Sequence, residues 1–228
     1  MLAYTIASAL DSGIFASVIV STDSEDIAAI ARHYGAEVPF LRPPALATDT
    51  SPDIEWITHL LTELQRQGRT WNCFSLLRPT SPFRTAETIQ RAWRTFTAQE
   101  GVDSLRAVEK CTQHPGKMWI VRGQRMYPLL PFGPDEQPWH STPYQALPPV
   151  YVQNASLEIA WTRVVFERGT IAGDVLVPFV TEGYEGFDIN DPTDWMIAER
   201  LLADGRAQLP RVAQVPYGVG PAKAGPYV

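Results

Sequence analysis

ASVIVSTDSEDIAAIARHYGAEVPFLR, residues 16–42, is the stretch that decides the fold. Residues 16–21 form a short apolar run rich in β-branched side chains, which predicts a buried strand. Thr22 and Glu25 have capping-box spacing, and Ile27, Ile30, Ala31 and Tyr34 fall on one helical face, so a helix follows. Gly35 stops that helix, and residues 37–41 predict a second strand. Strand, amphipathic helix and strand in quick succession are the unit of a parallel sheet covered by helices.

The same alternation extends in both directions. Upstream, residues 2–10 predict a helix, with Ile6 and Leu10 one turn apart and Gly13 just past its end. Downstream, residues 42–49 read as a loop, and Ser51 and Pro52 as the cap and first residue of a helix. Ile54, Ile57, Leu60, Leu61 and Leu64 mark the buried stripe of that helix. Residues 73–77 predict a third strand, followed by a turn at Pro79-Thr80-Ser81-Pro82. Ile89, Ala92, Trp93 and Phe96 give the next helix its apolar face, and residues 104–108 predict a fourth strand. Ligands of such sheets bind beyond the carboxyl ends of the strands, which directs attention to the loops after Ser21, Leu41, Leu77 and Val108.

From Met118 the pattern changes. Residues 118–121 and 126–130 flank Arg122-Gly123-Gln124-Arg125 and predict a hairpin. A Pro-rich stretch with Trp139 and Tyr144 follows, over residues 131–149. Residues 156–161 and 175–180 return to strand character, and residues 192–202 predict a last helix capped by Asp191. After Asp204 there are no acidic residues but four prolines and four glycines. The expected organisation is one domain over residues 1–203, with an insert at 118–145, and an irregular or disordered tail over 204–228.

Composition narrows the function classes. A chain of 228 residues that is 45% hydrophobic suits a single domain with a sizeable core. The net charge of -6 excludes a general electrostatic attraction to nucleic acid. Two cysteines, Cys73 and Cys111, make neither a disulfide framework nor a metal spacing, and Cys73 reads as a small core residue. No run approaches the ~20 apolar residues of a membrane span, and the first residues carry no secretion signal. A soluble cytoplasmic protein is expected, with neither a membrane nor a nucleic acid as partner.

Five segments in order carry a family resemblance: VIVSTDSEDIAAIARHYGAEVPFLRPPALATDTS (residues 18–51), LLRPTSPFRT (76–85), HPGKMW (114–119), LPPVYVQN (147–154) and FDINDPTDW (187–195). Together they resemble the acylneuraminate cytidylyltransferases, the CMP-sialic acid synthetases and their relatives, from Leu2 to Leu202. The resemblance implies an α/β nucleotidyltransferase (Rossmann-like) fold: a mostly parallel sheet with helices on both faces and a small hairpin insert for dimerisation. It implies an enzyme that transfers CMP from CTP to the anomeric hydroxyl of an acidic, sialic-type (nonulosonic) sugar, releasing pyrophosphate. Mg²⁺ and well-placed cations would lower a barrier set mostly by phosphate charge.

The resemblance also assigns roles. Asp188 is the expected catalytic residue and, with Asn190, the expected metal ligand. If residues 187–190 end a strand, residues two apart share a face, and two oxygen ligands there suit Mg²⁺. The family usually has a second Asp at Asn190, so one negative charge is lost. Without the resemblance, both residues read as turn formers ahead of a helix. Arg42 opens a loop resembling the family's pyrimidine-contacting loop, and Ser51 matches a position near base and ribose. Arg78 stands where the family has Gln; a guanidinium pairs with carboxylate or phosphate, pointing to a different sugar acid or a different carboxylate clamp. Thr80 lies in the same turn. Lys117 matches a lysine that meets the substrate's carboxylate, and Gln145 and Tyr151 match residues lining the sugar pocket. Tyr144 replaces an Arg that the family often carries. An enzyme for a Kdo-like acid would differ at Arg78 and Tyr144. His114, followed by Pro, shapes its loop and is given no catalytic role.

The family begins with a strand and a Gly-rich basic loop that wraps the triphosphate, whereas residues 2–6 match the helix after it. The expectation is a shortened form of a longer enzyme, with weak or no catalysis from these 228 residues. The competing expectation is a non-catalytic dimeric remnant that binds nucleotide or sugar.

Overall fold

Helix α1 (Leu2–Asp11) and helix α2 (Glu25–His33) pack together through Ile6, Ala28, Ala31 and Tyr34. Ile6, Ala31 and Tyr34 are on the apolar faces that the periodicity predicts, with Ile30 partly buried beside them, whereas Leu10 and Ile27 are exposed and Ala28 takes the buried place. The computed structural model describes residues 1–131 and 133–218. The cap of α2 is Ser24 rather than Thr22: the Ser24 hydroxyl accepts from Ile27 N–H at 3.3 Å, while Thr22 accepts from Ser24 N–H at 3.1 Å. Between the two helices, residues 16–21 do not form the expected buried strand. They are mostly half-buried and make a single parallel bridge, Ile19 to Glu37. Glu37 N–H donates to Val18 and Val20 N–H to Glu37, but the next donor along the ladder would be Pro39, which has no N–H. The predicted strand over 37–41 is cut short for the same reason.

Helix α3 (Asp53–Arg66) opens with Asp53 and Glu55, whose charges suit a helix N-terminus. Its N-cap is Pro52, without a side-chain hydrogen bond, so Ser51 is not the cap. The Ser51 hydroxyl instead closes the preceding turn, accepting from Thr48 N–H at 3.1 Å. Helix α4 (Ala86–Thr97) has a full capping box between Thr85 and Thr88. Helix α5 is Thr162–Arg168 and α6 is Pro192–Ala203, the latter capped by Asp191 as expected.

Strands β1 (Cys73–Leu76), β2 (Ser104–Lys110), β5 (Tyr151–Trp161) and β6 (Leu176–Val180) form one sheet in the order β1-β5-β2-β6. β5 pairs antiparallel with β1, Phe74 facing Ala160 and Leu76 facing Glu158. It also runs against β2, since Cys111 N–H donates to Val150 at one end and Trp161 N–H donates to Asp103 O at the other. β2 and β6 start side by side, with Asp103 and Ser104 N–H both directed to Val175 O. So β1, β2 and β6 share one direction, and β5 runs against them. β1 ends the sheet, and its four residues are all half-buried, Cys73 among them.

Alternate strand residues feed opposite layers. Phe74 and Leu76 pack with Ile57, Leu61 and Val165 from α3 and α5. Leu157 and Ile159 pack with Leu105, Ala107 and Phe179 beneath Ala92 and Phe96 of α4. The α/β reading with helices on both faces therefore holds. Gly173, before β6, has φ +73°, and a Cβ there would lie 2.3 Å from Asp103 Cβ. Only glycine allows the Asp103 carboxylate to accept from Asp174 and Val175 N–H.

The chain divides into two units, Met1–Ala107 with Asn154 onward, and Val108–Gln153. The second is wider than the predicted 118–145 insert. It holds the hairpin of β3 (Trp119–Arg122) and β4 (Arg125–Pro128), in which Trp119 faces Pro128. His114 shapes its loop: Nδ1 accepts from Gly116 N–H at 3.0 Å while Nε2 meets Pro148 O at 2.9 Å, which the tautomer protonated on Nε2 satisfies. Residues 205–218 are irregular and mostly exposed, with a few attachments to the domain. Val212 joins the α1–α2 cluster, and Tyr217 N–H donates to the Tyr34 hydroxyl at 3.1 Å. The rest of the predicted tail, residues 219–228, lies outside the described residues.

Phe96 is fully buried, so Phe96→Ala is expected to cost ~3–5 kcal/mol of unfolding free energy in a denaturant titration. Gly173→Ala is expected to cost more than ~1 kcal/mol by the same measurement, from strain at positive φ and the clash with Asp103.

Candidate functional site

Arg42 follows the short Glu37 segment and reaches across to the end of the segment bridged to it. Its Nε donates to Ser21 Oγ at 3.1 Å and its Nη2 to Ser21 O at 2.8 Å. Its guanidinium lies over the Trp56 ring, 4.3 Å from the centroid. Burial lowers the Arg42 pKa, against the charges of Asp23 and Asp53. Trp56 Nε1 donates to Asp53 Oδ1 at 2.9 Å, and Asp53 Oδ2 accepts from Arg78 Nη2. Burial pushes the Asp53 carboxyl up, but hydrogen bonds from Arg78 and Trp56, with the charges of Arg78 and Arg42, hold it below the usual carboxylate range. Arg42 and Arg78, distant in sequence, are thus joined through the first turn of α3.

Arg78 is also 3.8 Å from Glu158 Oε1, and the other oxygen of Glu158 pairs with Arg106. Arg106 and Glu158 are both buried on the α3 side of the sheet. Burial lowers the Arg106 pKa, and the neighbouring positive Arg78 adds to this against Asp53. The sequence reading treats Arg78 as a clamp for substrate; in the fold its charge is already engaged by two carboxylates, which fix its direction.

The turn after β1 is anchored from below. Arg84 is 1% exposed and donates to Arg78 O and Thr5 Oγ1, each at 3.1 Å, and to Ser156 O. From the other side, Ile189 N–H donates to Thr80 O at 2.9 Å. That bond brings the Arg78–Thr80 turn against the segment bearing Asp188. Residues 187–190 are not the end of a strand; they follow a turn and are held by the Thr80 bond and by α6. Asp188 Oδ1 is buried without a hydrogen-bond partner. Asn190 is exposed, its backbone N–H directed to Asp194 Oδ2 at 2.9 Å. A shared strand face therefore does not align the two.

Ser51 is half-buried, and its hydroxyl contacts go to Thr48, not to Arg42. Lys117, Gln145 and Tyr151 belong to the second unit. Lys117 Nζ donates to His140 O at 3.3 Å, while Gln145 and Tyr151 are exposed. Tyr144 donates its hydroxyl to Thr112 O at 2.8 Å and also reaches Cys111 O. Among the described residues there is no group of three or more His, Cys, Asp or Glu able to hold a metal ion. A cation here would rest on Asp188, neutral oxygens and its own ligands.

Sequence reasoning missed Asp53, Arg84, Arg106 and Glu158. Two of them carried a legible signal: Leu105-Arg106-Ala107 and Leu157-Glu158-Ile159 each set a charge inside an apolar strand, and buried charges need partners.

The chain is 32% identical over 208 residues to a CMP-N,N'-diacetyllegionaminic acid synthase of Legionella pneumophila, covering 89% of this chain and 84% of that one. It is 26% identical to post-translational flagellin modification protein B of Campylobacter coli, over 91% of this chain and 86% of that one. A shorter match, 39% identical over 58% of this chain, spans 30% of an N-acylneuraminate cytidylyltransferase of Escherichia coli. Among solved structures, a CMP:2-keto-3-deoxy-manno-octonic acid synthetase complexed with CTP superimposes with a TM-score of 0.58. At 9% identity, covering 90% of this chain and 87% of that one, it speaks for the fold alone. A sequence profile of the family described as cytidylyltransferase matches residues 1–115. With that profile and the Legionella relative agreeing over so much of its length, the chain belongs to the cytidylyltransferase family.

Proposed function

We propose that this protein transfers CMP from CTP to the anomeric hydroxyl of an acidic sugar of the nonulosonic class, releasing pyrophosphate. The observation that carries the reading is Asp188 Oδ1, buried and unpartnered beside the Thr80 turn. Leaving such an oxygen unsatisfied costs about 1–3 kcal/mol, so a ligand that satisfies it is the economical explanation. The sugar class rests on the names of the relatives, which act on legionaminic and acylneuraminic acids.

In the reaction, the anomeric oxygen forms a bond to the α-phosphorus of CTP as the bond to the pyrophosphate oxygen breaks. The hydroxyl proton goes to solvent. Asp188 and Asn190 would hold Mg²⁺, since carboxylate and amide oxygens suit that ion. When bound, it supplies charge neutralisation at the phosphates. Arg42, pinned to Ser21 and stacked on Trp56, is preorganised to orient the pyrimidine, with Ser51 towards the ribose. Arg78, steered by Asp53 and Glu158, is assigned to the sugar's carboxylate and Thr80 to its hydroxyls. Lys117, Gln145 and Tyr151 of the second unit are assigned to sugar binding by family resemblance alone.

We assign the hairpin to a homodimer interface. Trp119, Ile120, Val121, Met126 and Tyr127 are all exposed there, and a lone two-stranded hairpin is marginal in water. The cytoplasm is the assigned compartment, in line with two free thiols. No helix among the described residues is long and apolar enough to cross a membrane.

Asp188→Asn is expected to lower pyrophosphate release by on the order of 10²–10³-fold while leaving the melting temperature near that of the parent. Wild-type turnover would remove Asp188 from the site. Val121→Glu with Tyr127→Glu is expected to halve the mass measured by light scattering, and an unchanged mass would place the dimer elsewhere.

A further inference from the structure

Glu185 sits in the turn ahead of Asp188, with its carboxylate held by α4. Arg91 grips it with both nitrogens, Nη1 to Oε1 at 3.1 Å and Nη2 to Oε2 at 2.7 Å. Thr88 Oγ1 donates to Oε1 at 2.7 Å, and Glu182 N–H donates to Oε2 at 2.8 Å, closing the turn on itself. The Glu185 side chain is only 15% exposed. Arg91 is itself fixed, with its guanidinium 4.9 Å from the centroid of the Phe179 ring on β6. Thr88 is fully buried and belongs to the capping box of α4. Both oxygens of Glu185 are therefore tied to α4 side chains that are themselves held in place.

The rest of the segment is fastened in the same manner. Phe187 packs against Phe83 in a tilted arrangement, their centroids 5.7 Å apart, and Ile189 N–H is bound to Thr80 O. Asp191 caps α6, accepting from Thr193 and Asp194 N–H at 2.7 and 3.0 Å. Three anchors at Glu185, Ile189 and Asp191 thus bracket Asp188, whose Oδ1 is left without a partner. A segment with no regular structure needs such anchors, because its backbone has no helix or ladder to hold it.

We propose that Glu185 is a positioning residue: clamped by Arg91 and Thr88 of α4, it sets the placement of the segment that presents Asp188. The inference rests on the reading of Asp188 as a cation ligand. Groups that orient a metal ligand typically change affinity for the ion by about 10–100-fold when they are replaced.

The test compares the parent with Glu185→Gln and Arg91→Met, neither of which alters Asp188. Backbone hydrogen exchange is followed at the Ile189 amide and along α4, and turnover with CTP is followed against Mg²⁺ concentration. If turnover is too slow to measure, the Mg²⁺-dependent rise in melting temperature with CTP is used instead. Both variants are expected to speed exchange at Ile189 while α4 keeps its protection. Both are expected to raise the Mg²⁺ concentration for half-effect by about tenfold. Unchanged exchange at Ile189 overturns the clamp, and faster exchange with an unchanged Mg²⁺ dependence overturns its link to Asp188. Loss of protection throughout α4 overturns the proposal in favour of a general stabilising role. Asp188→Asn run in parallel separates the two ideas: if it retains the parent's Mg²⁺ dependence, the cation reading fails, while the exchange result still judges the clamp.

Discussion

A guanidinium with almost no access to water holds the site turn in place. Arg84 makes four hydrogen bonds, two of them to the same carbonyl, Arg78 O, and the others to Ser156 O and Thr5 Oγ1. Burying a cation costs several kcal/mol unless dipoles replace its hydration. Here two carbonyls and a hydroxyl do so for the two terminal nitrogens, while Nε is buried without a partner, and burial lowers the pKa to about 9, which leaves the group charged at neutral pH. Its bonds reach α1, β5 and the turn after β1 at once. Whatever Arg78 does with its side chain depends on this bond to its main chain.

From Arg78 the restraint passes outward through charge. Asp53 joins it to Trp56 and so to Arg42, while Glu158 is shared between Arg78 and Arg106. A chain of alternating signs confines long side chains that would otherwise sample many rotamers, and the entropy of ordering them is lost on folding rather than on binding. Pairs of this kind are poor evidence for stability, since desolvation offsets much of their attraction. Their value here is directional. Two arginines are held in fixed directions, one of them on the turn whose Thr80 carbonyl is bonded to the Asp188 segment, in a chain whose overall charge is -6.

Much of this was readable in residue order, for reasons specific to each element. α1, α2, α3 and α4 were visible because apolar residues recur at helical spacing and each had to bury one face. Asp191 was visible as a cap because its side chain acts within its own turn. The strand at residues 16–21 was misread because apolar content was plain while the interruption came from Pro39, which belongs to its neighbour. Ser51 was misread because a Ser before Pro looks like a cap whichever way its hydroxyl turns. Arg42 and Arg78 could be singled out by their place after strands, yet nothing local predicted that both would converge on Asp53. Glu185 was invisible, since its partners Thr88 and Arg91 lie far back along the chain and pairing at that distance leaves no local pattern.

The place of β5 has a consequence for how the molecule is made. β1 and β2 are close in sequence, but β5 lies between them in the sheet. Neither can complete its ladder until residue 161 has been synthesised and has met Cys73. Contacts that close so long a loop lower the rate of folding, because chain entropy is lost before pairing repays it. During synthesis, β1 therefore waits with both hydrogen-bonding edges open, and the pairing of Arg78 with Glu158 must await β5.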